Sequence, residues 1–121
     1  VDVQLALGSD IMMVLDECTE YPATRQRAES SMALSVRWAQ QAFAHYRGPC
    51  AAAQDHHALF PIVQGGMYQD LRVACAEQLL ALDAYGYAIG GLSVGEPRPE
   101  SLAMVETVAP LLPASKPRYV M

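Results

Sequence analysis

The apolar positions of this chain follow two alternating periods. Met12 to Leu15 is a short unbroken apolar run, the pattern of a strand buried on both faces. From Arg25 to Tyr46, the residues Ala28, Met32, Val36, Ala39, Phe43 and Tyr46 step by three and four. That spacing predicts an amphipathic helix, ended by Gly48 and Pro49. Leu59 to Val63 predicts a second strand in spite of Pro61. Tyr68 to about Asp83 predicts a second helix, with Leu71, Ala74, Cys75, Leu79 and Leu82 on one side. Tyr87 to Ile89 predicts a third strand. Pro99 stands where a first-turn proline is tolerated, ahead of a third helical stripe of Leu102, Val105, Val108 and Leu112. Arg118 to Met121 begins a fourth strand, and Val1 to Leu7 reads as the last turns of a helix with Gly8 as its left-handed cap.

Strands and helices alternating at intervals of about thirty to fifty residues imply parallel strands joined by crossover helices, an α/β fold. The ends sharpen this expectation. The chain starts in a helix with no strand before it and stops inside a strand, whereas domain boundaries fall in exposed linkers. Residues 1–121 are therefore expected to be part of a larger barrel, truncated at both ends.

Composition adds limits. At 121 residues, 52% hydrophobic and 17% charged, the chain has the makings of one globular core. No apolar run approaches the ~18 residues of a membrane span, and no basic segment followed by an apolar stretch opens the chain. Cys18, Cys50 and Cys75 are odd in number and widely spaced, which fits reduced thiols in the cytoplasm and excludes a CxxC metal pair. The net charge of −5, without a Lys or Arg cluster, argues against a self-sufficient nucleic-acid surface. His56 and His57 beside Asp55 offer a candidate metal pair, though adjacent histidines in a polar loop are more often simply solvated.

In parallel α/β folds, chemistry collects where the strands' carboxyl ends converge. The four predicted strands end in Asp16-Glu17-Cys18, in Gln64-Gly65-Gly66, in Gly90-Gly91-Leu92-Ser93-Val94-Gly95-Glu96, and in Met121. A carboxylate takes two N–H bonds at once, an amide donates and accepts, glycines admit a ligand to backbone groups, and a methionine packs flat. This set suits a planar heterocycle with mixed donor and acceptor edges, such as a purine. A phosphate site would instead bring Lys, Arg, Ser or Thr among the glycines. Each residue also has an ordinary reading. Asp16 and Thr19 are suited to capping a turn or the next helix, and Cys18 to being a small buried residue. Gln64 suits a tight turn, Glu96 a helix N-terminus, and Met121 the core. Only their conjunction at one sheet face favours a site.

The segments LGSDIMMVLDECTEYPA, SMALSVRWAQQA, LFPIVQGGMYQDLR, GYAIGGLSVGE and KPRYVM, in this order and across the whole chain, resemble bacterial tRNA-guanine transglycosylase. The resemblance implies a (β/α)8 TIM barrel with a small zinc-binding insertion, exchanging the tRNA wobble guanine for preQ1, 7-aminomethyl-7-deazaguanine, a queuosine precursor. It implies that Asp16 receives the N1 and exocyclic amine protons of the base, and that Gln64 and the N–H of Gly91, which follows Gly90, reach its carbonyl. The C=O of Leu92 would take the aminomethyl group, Glu96 would support the Leu92–Ser93 peptide, Met121 would pack on the ring, and Cys18 would line the pocket floor. Cys18 and Val94 are the bacterial pattern, favouring preQ1 over queuine.

The family's nucleophilic aspartate, its second pocket aspartate, the Cys-rich zinc ligands and the basic tRNA-binding surface are expected outside residues 1–121. No catalytic or metal residue is therefore assigned here, and Asp10, Asp16 and Asp83 are not promoted to nucleophile. The segment is expected to be inert alone, with unpaired barrel edges that favour association, and to belong to a homodimeric full-length enzyme. A non-catalytic accessory paralogue and an unrelated phosphate-binding barrel enzyme remain the alternatives.

Overall fold

The computed structural model describes residues 1–53 and 56–121. A short first helix, α1 (Asp2–Ala6), is followed by β1 (Ile11–Met13) and the long α2 (Arg25–Arg47). The chain continues through β2 (Ala58–Phe60), β3 (Ile62–Val63), α3 (Gln69–Leu80), β4 (Tyr87–Ile89), α4 (Arg98–Val108) and β5 (Arg118–Val120). Every strand pairing is parallel: Met12 lies opposite Leu59, Ile62 opposite Ala88, and Ala88 opposite Tyr119. The protein is thus a mixed α/β chain of parallel strands in sequence order. Helix α2 packs on α3, α3 on α4, and both α2 and α3 lie against β3. No helix among the described residues is long and apolar enough to cross a membrane.

Local rules explain the best-defined element. Thr24 begins α2 in an extended conformation, and its hydroxyl accepts the Arg27 N–H at 3.2 Å, satisfying one of the orphan donors of the first turn. All six residues of the predicted stripe, Ala28 through Tyr46, are buried, and Gly48 closes the helix. Gly8 takes φ +70° after α1, the left-handed turn expected of it.

Four expectations are corrected. The single strand expected at Leu59–Val63 is two, because Pro61 has no N–H to give: β2 pairs with β1, while from the Pro61 carbonyl onward the chain pairs with β4, Ala88 N–H donating to it at 2.9 Å. The first strand is not buried on both faces. Met12 and Val14 are buried, but Ile11 and Leu15 are 59% and 70% exposed, since no element among the described residues covers the second face of β1. The second helix ends at Leu80, short of Asp83, where i→i+3 bonds from Leu82 and Asp83 tighten the chain and Asp83 turns it with φ +45°. In the third helical stripe Val108 and Leu112 are buried as expected, but Leu102 is 49% exposed and Val105 is only half-buried, and Met104 takes the remaining buried place.

Candidate functional site

The strands form two hydrogen-bonded sets, β1-β2 and β3-β4-β5, and parallel pairing turns the loops after β1, β3 and β4 to the carboxyl ends of the strands. The first of these, residues 14–23, is clamped from below by α2. Ser31 and Ser35, one helical turn apart and both buried, bind the backbone of Glu17: the Ser31 hydroxyl donates to the Glu17 carbonyl at 2.8 Å, and the Glu17 N–H donates to Ser35 Oγ at 2.9 Å. The Glu17 carboxylate is drawn outward to Arg27 at 2.8 Å, which holds it below the usual carboxylate range. Neither Asp16 nor Thr19 caps α2. Thr24 does that, and the buried Thr19 hydroxyl has no partner among the described residues.

With its neighbour pinned, Asp16 meets Gln64 from the second loop. Gln64 Nε2 donates to Asp16 Oδ2 at 2.5 Å, the Gln64 N–H donates to Cys75 Sγ at 3.4 Å, and Gln64 Oε1 is buried without a partner among the described residues. The third loop closes on this pair. A β-carbon at Gly90 would stand 3.1 Å from Gln64 Nε2 and 3.7 Å from Asp16 Oδ2, and one at Gly91 would overlap Gln64 Oε1. Glycine is required at Gly91 by Gln64, and at Gly90 by Ile62 Cγ2, which a β-carbon would approach to 2.5 Å.

Arg72, on α3, escaped the sequence reading. It is fully buried, and its guanidinium donates to three carbonyls: Nε to Gly66 at 2.7 Å, Nη1 to Gly90 at 2.9 Å, and Nη2 to Gly91 at 3.0 Å. Burial pushes its pKa down to about 10. The signal was available in the period: position 72 falls on the face of α3 shared by Leu71, Cys75 and Leu79, where an arginine is out of place unless something binds it.

Beyond Gly91 the loop is organised by Glu96. Desolvation would raise this carboxyl. The Ser101 hydroxyl and the backbone N–H groups of Glu96, Ser93 and Val94 overcome it and hold the pKa down to about 2. Ser93 N–H donates to it at 2.6 Å and Val94 N–H at 2.8 Å, with Ser93 itself at φ +59°. Leu92, Ser93, Glu96 and Met121 border a hollow of about 410 Å³ beside α4. Met121 is 47% exposed there, its N–H held by the Ile89 carbonyl at 3.0 Å. Cys18, expected to be buried, is exposed, because its loop runs over the sheet end. Its thiol is raised, first by desolvation and then by Asp16.

Asp16, Gln64, Gly90 and Gly91 are thus brought together, while Leu92, Glu96 and Met121 line a hollow beside α4 that none of those four borders. For metals, the group of suitable side chains among the described residues is Asp2, His45 and Cys50, with ligand atoms within 4.8 Å of one another. They already bind each other, His45 Nε2 meeting Asp2 Oδ1 at 2.6 Å, and contain one thiol; this is no Cys-rich zinc set. His57 Nδ1 lies 2.8 Å from the Ser9 carbonyl, His56 is exposed, and Asp55 is outside the described residues.

The sequence profile of the family described as queuine tRNA-ribosyltransferase matches residues 1–121. The chain is 59% identical over 121 residues to a protein named queuine tRNA-ribosyltransferase from Solibacter usitatus (strain Ellin6076), covering 100% of this chain and 32% of that protein. It is 50% identical over 122 residues to the protein of that name from Thermodesulfovibrio yellowstonii, of which it covers 30%. Identity is also 50% over 121 residues with the one from Thiobacillus denitrificans, of which it covers 31%. The chain spans about a third of the length of these curated relatives.

Proposed function

This chain belongs to the queuine tRNA-ribosyltransferase family, and from that premise we propose that it supplies the base-recognition pocket of a glycosyltransferase that exchanges guanine in tRNA for preQ1. The observation that carries the reading is the Asp16–Gln64 hydrogen bond set against Gly90 and Gly91 at one end of the parallel strands. A carboxylate and an amide side by side match the N1–H, amine and carbonyl edge of a guanine. Such a site rejects a base lacking those groups, because its own buried polar atoms would then stay unpaired.

Cys18 lies in the same loop as Asp16, and Val94 in the loop of Glu96. Since Ser93 N–H is turned to Glu96, the Leu92 carbonyl in the same planar peptide faces the opposite way, the orientation an aminomethyl donor needs. Met121 offers its exposed side chain to the face of the ring. In this reading β1, the run of β2 and β3 on either side of Pro61, β4 and β5 are four consecutive staves of a (β/α)8 barrel. The nucleophilic aspartate that attacks the ribose, the zinc ligands, the tRNA-gripping surface and the dimer contacts belong to the remainder of a cytoplasmic full-length enzyme.

The test is incorporation of radiolabelled guanine into tRNA by the full-length enzyme. Asp16→Asn removes a charged hydrogen-bond acceptor contributing about 1.5–3 kcal/mol, so exchange should fall at least about tenfold. Undiminished incorporation by that variant, folded as the wild type is, refutes the assignment.

A further inference from the structure

A buried guanidinium normally faces a carboxylate, and among the described residues none forms an ion pair with Arg72. Its planar fork is spent on backbone carbonyls of two different loops, Gly66 after β3 and Gly90 and Gly91 after β4. The peptides that follow Gly90 and Gly91 are trans, so each carbonyl fixes the direction of the N–H across its own plane. With both carbonyls drawn to one guanidinium, the N–H groups of Gly91 and Leu92 are both turned away from it. Gly91 permits this by standing at φ +64°. Neither N–H donates to a protein acceptor among the described residues. Two adjacent, unengaged donors backed by a buried positive charge form an anion-receptive concavity.

We propose that Arg72 is a positioning residue for base exchange: by holding the Gly90 and Gly91 carbonyls it presents the Gly91 and Leu92 N–H groups to the carbonyl oxygen of the departing purine. This rests on the base-exchange reading above. When the bond between ribose carbon and purine nitrogen breaks, its electron pair stays with the purine and spreads toward that oxygen. The ribose carbon gains a bond to the nucleophilic carboxylate of the full-length enzyme, and the purine anion takes a proton from water before release. Donors fixed beforehand at the place where negative charge develops stabilise that step more than they stabilise the bound tRNA.

The role separates from a merely structural one by kinetics in the full-length enzyme. Arg72→Met should lower kcat for guanine exchange by about 10²–10³-fold, the usual effect of losing a preorganised donor, while the KM for tRNA changes less than about threefold. Arg72→Lys keeps the charge without the fork and should fall between; it carries the test if the Met variant does not fold. The preference for guanine over 2-aminopurine, which lacks the carbonyl, should shrink about tenfold in either variant. Variants with kcat within about threefold of wild type, or with lowered kcat and unchanged preference, overturn the positioning role. If wild type exchanges guanine and Asp16→Asn abolishes exchange, such a result overturns the role of Arg72 alone. A wild-type enzyme that exchanges no guanine overturns the base-exchange reading as well.

Discussion

Replacing Gly91 by alanine separates two effects that glycine positions usually confound. At φ +64° an alanine carries the left-handed penalty of about 1–2 kcal/mol. Its β-carbon would also overlap Gln64 Oε1, with Gln64 Cδ at 3.3 Å and Arg72 Nη2 at 3.4 Å. Gln64 is buried and cannot withdraw without giving up its bond to Asp16, a charged hydrogen bond of about 1.5–3 kcal/mol. The sum is about 2.5–5 kcal/mol, of which only the second part lies in the site. Gly8→Ala is the matched control: φ is +70°, yet nothing lies within 4 Å of the added carbon, so it meets the backbone strain alone. In the full-length enzyme, Gly91→Ala should reduce guanine exchange at least about tenfold, and Gly8→Ala should leave it within about twofold while lowering thermal stability. Equal losses of exchange in the two variants, or none in Gly91→Ala, would show that Gln64 and Asp16 are not held in place by the bare Gly91 backbone.

Acid should loosen the loop after β4 late and in a defined window. Because the Glu96 carboxyl is held down to about 2, against an ordinary value of about 4.3, its contribution is complete above the ordinary value and is lost as pH falls toward 2. Amide-exchange protection of Ser93 and Val94 should follow that course and lose it in Glu96→Gln; a carboxyl titrating at the ordinary value would contradict the four hydrogen bonds drawn to it. Thiol labelling at pH 8 should miss Cys75, fully buried and pushed up to about 11, until the protein unfolds. Cys18 should label in the native protein and react faster in Asp16→Asn, which removes one of the causes of its raised pKa; equal rates would place the Asp16 charge elsewhere.

What the sequence determined by itself is whatever short-range physics dictates. The α2 stripe from Ala28 to Tyr46 follows from a 3.6-residue period, and the parallel order of strands follows from the length of the helical connections. Because strands that run the same way deliver their carboxyl ends to one side, Asp16, Gln64, Gly90 and Gly91 were legible as a group before any coordinate. Tertiary structure decided the rest, wherever the partner of a residue is distant in the chain. Ile11, Leu15 and Leu102 are as apolar as Met12 and Val108, and only the neighbouring elements settle which of them are covered. Ser31 and Ser35 look like ordinary helix residues until the Glu17 backbone arrives above them. Arg72 breaks the apolar face of α3, and its purpose is invisible until the carbonyls of Gly66, Gly90 and Gly91 converge on it. A period encodes which side of an element is buried; which atoms it will meet there depends on loops folding back from far along the chain, and no local pattern contains that.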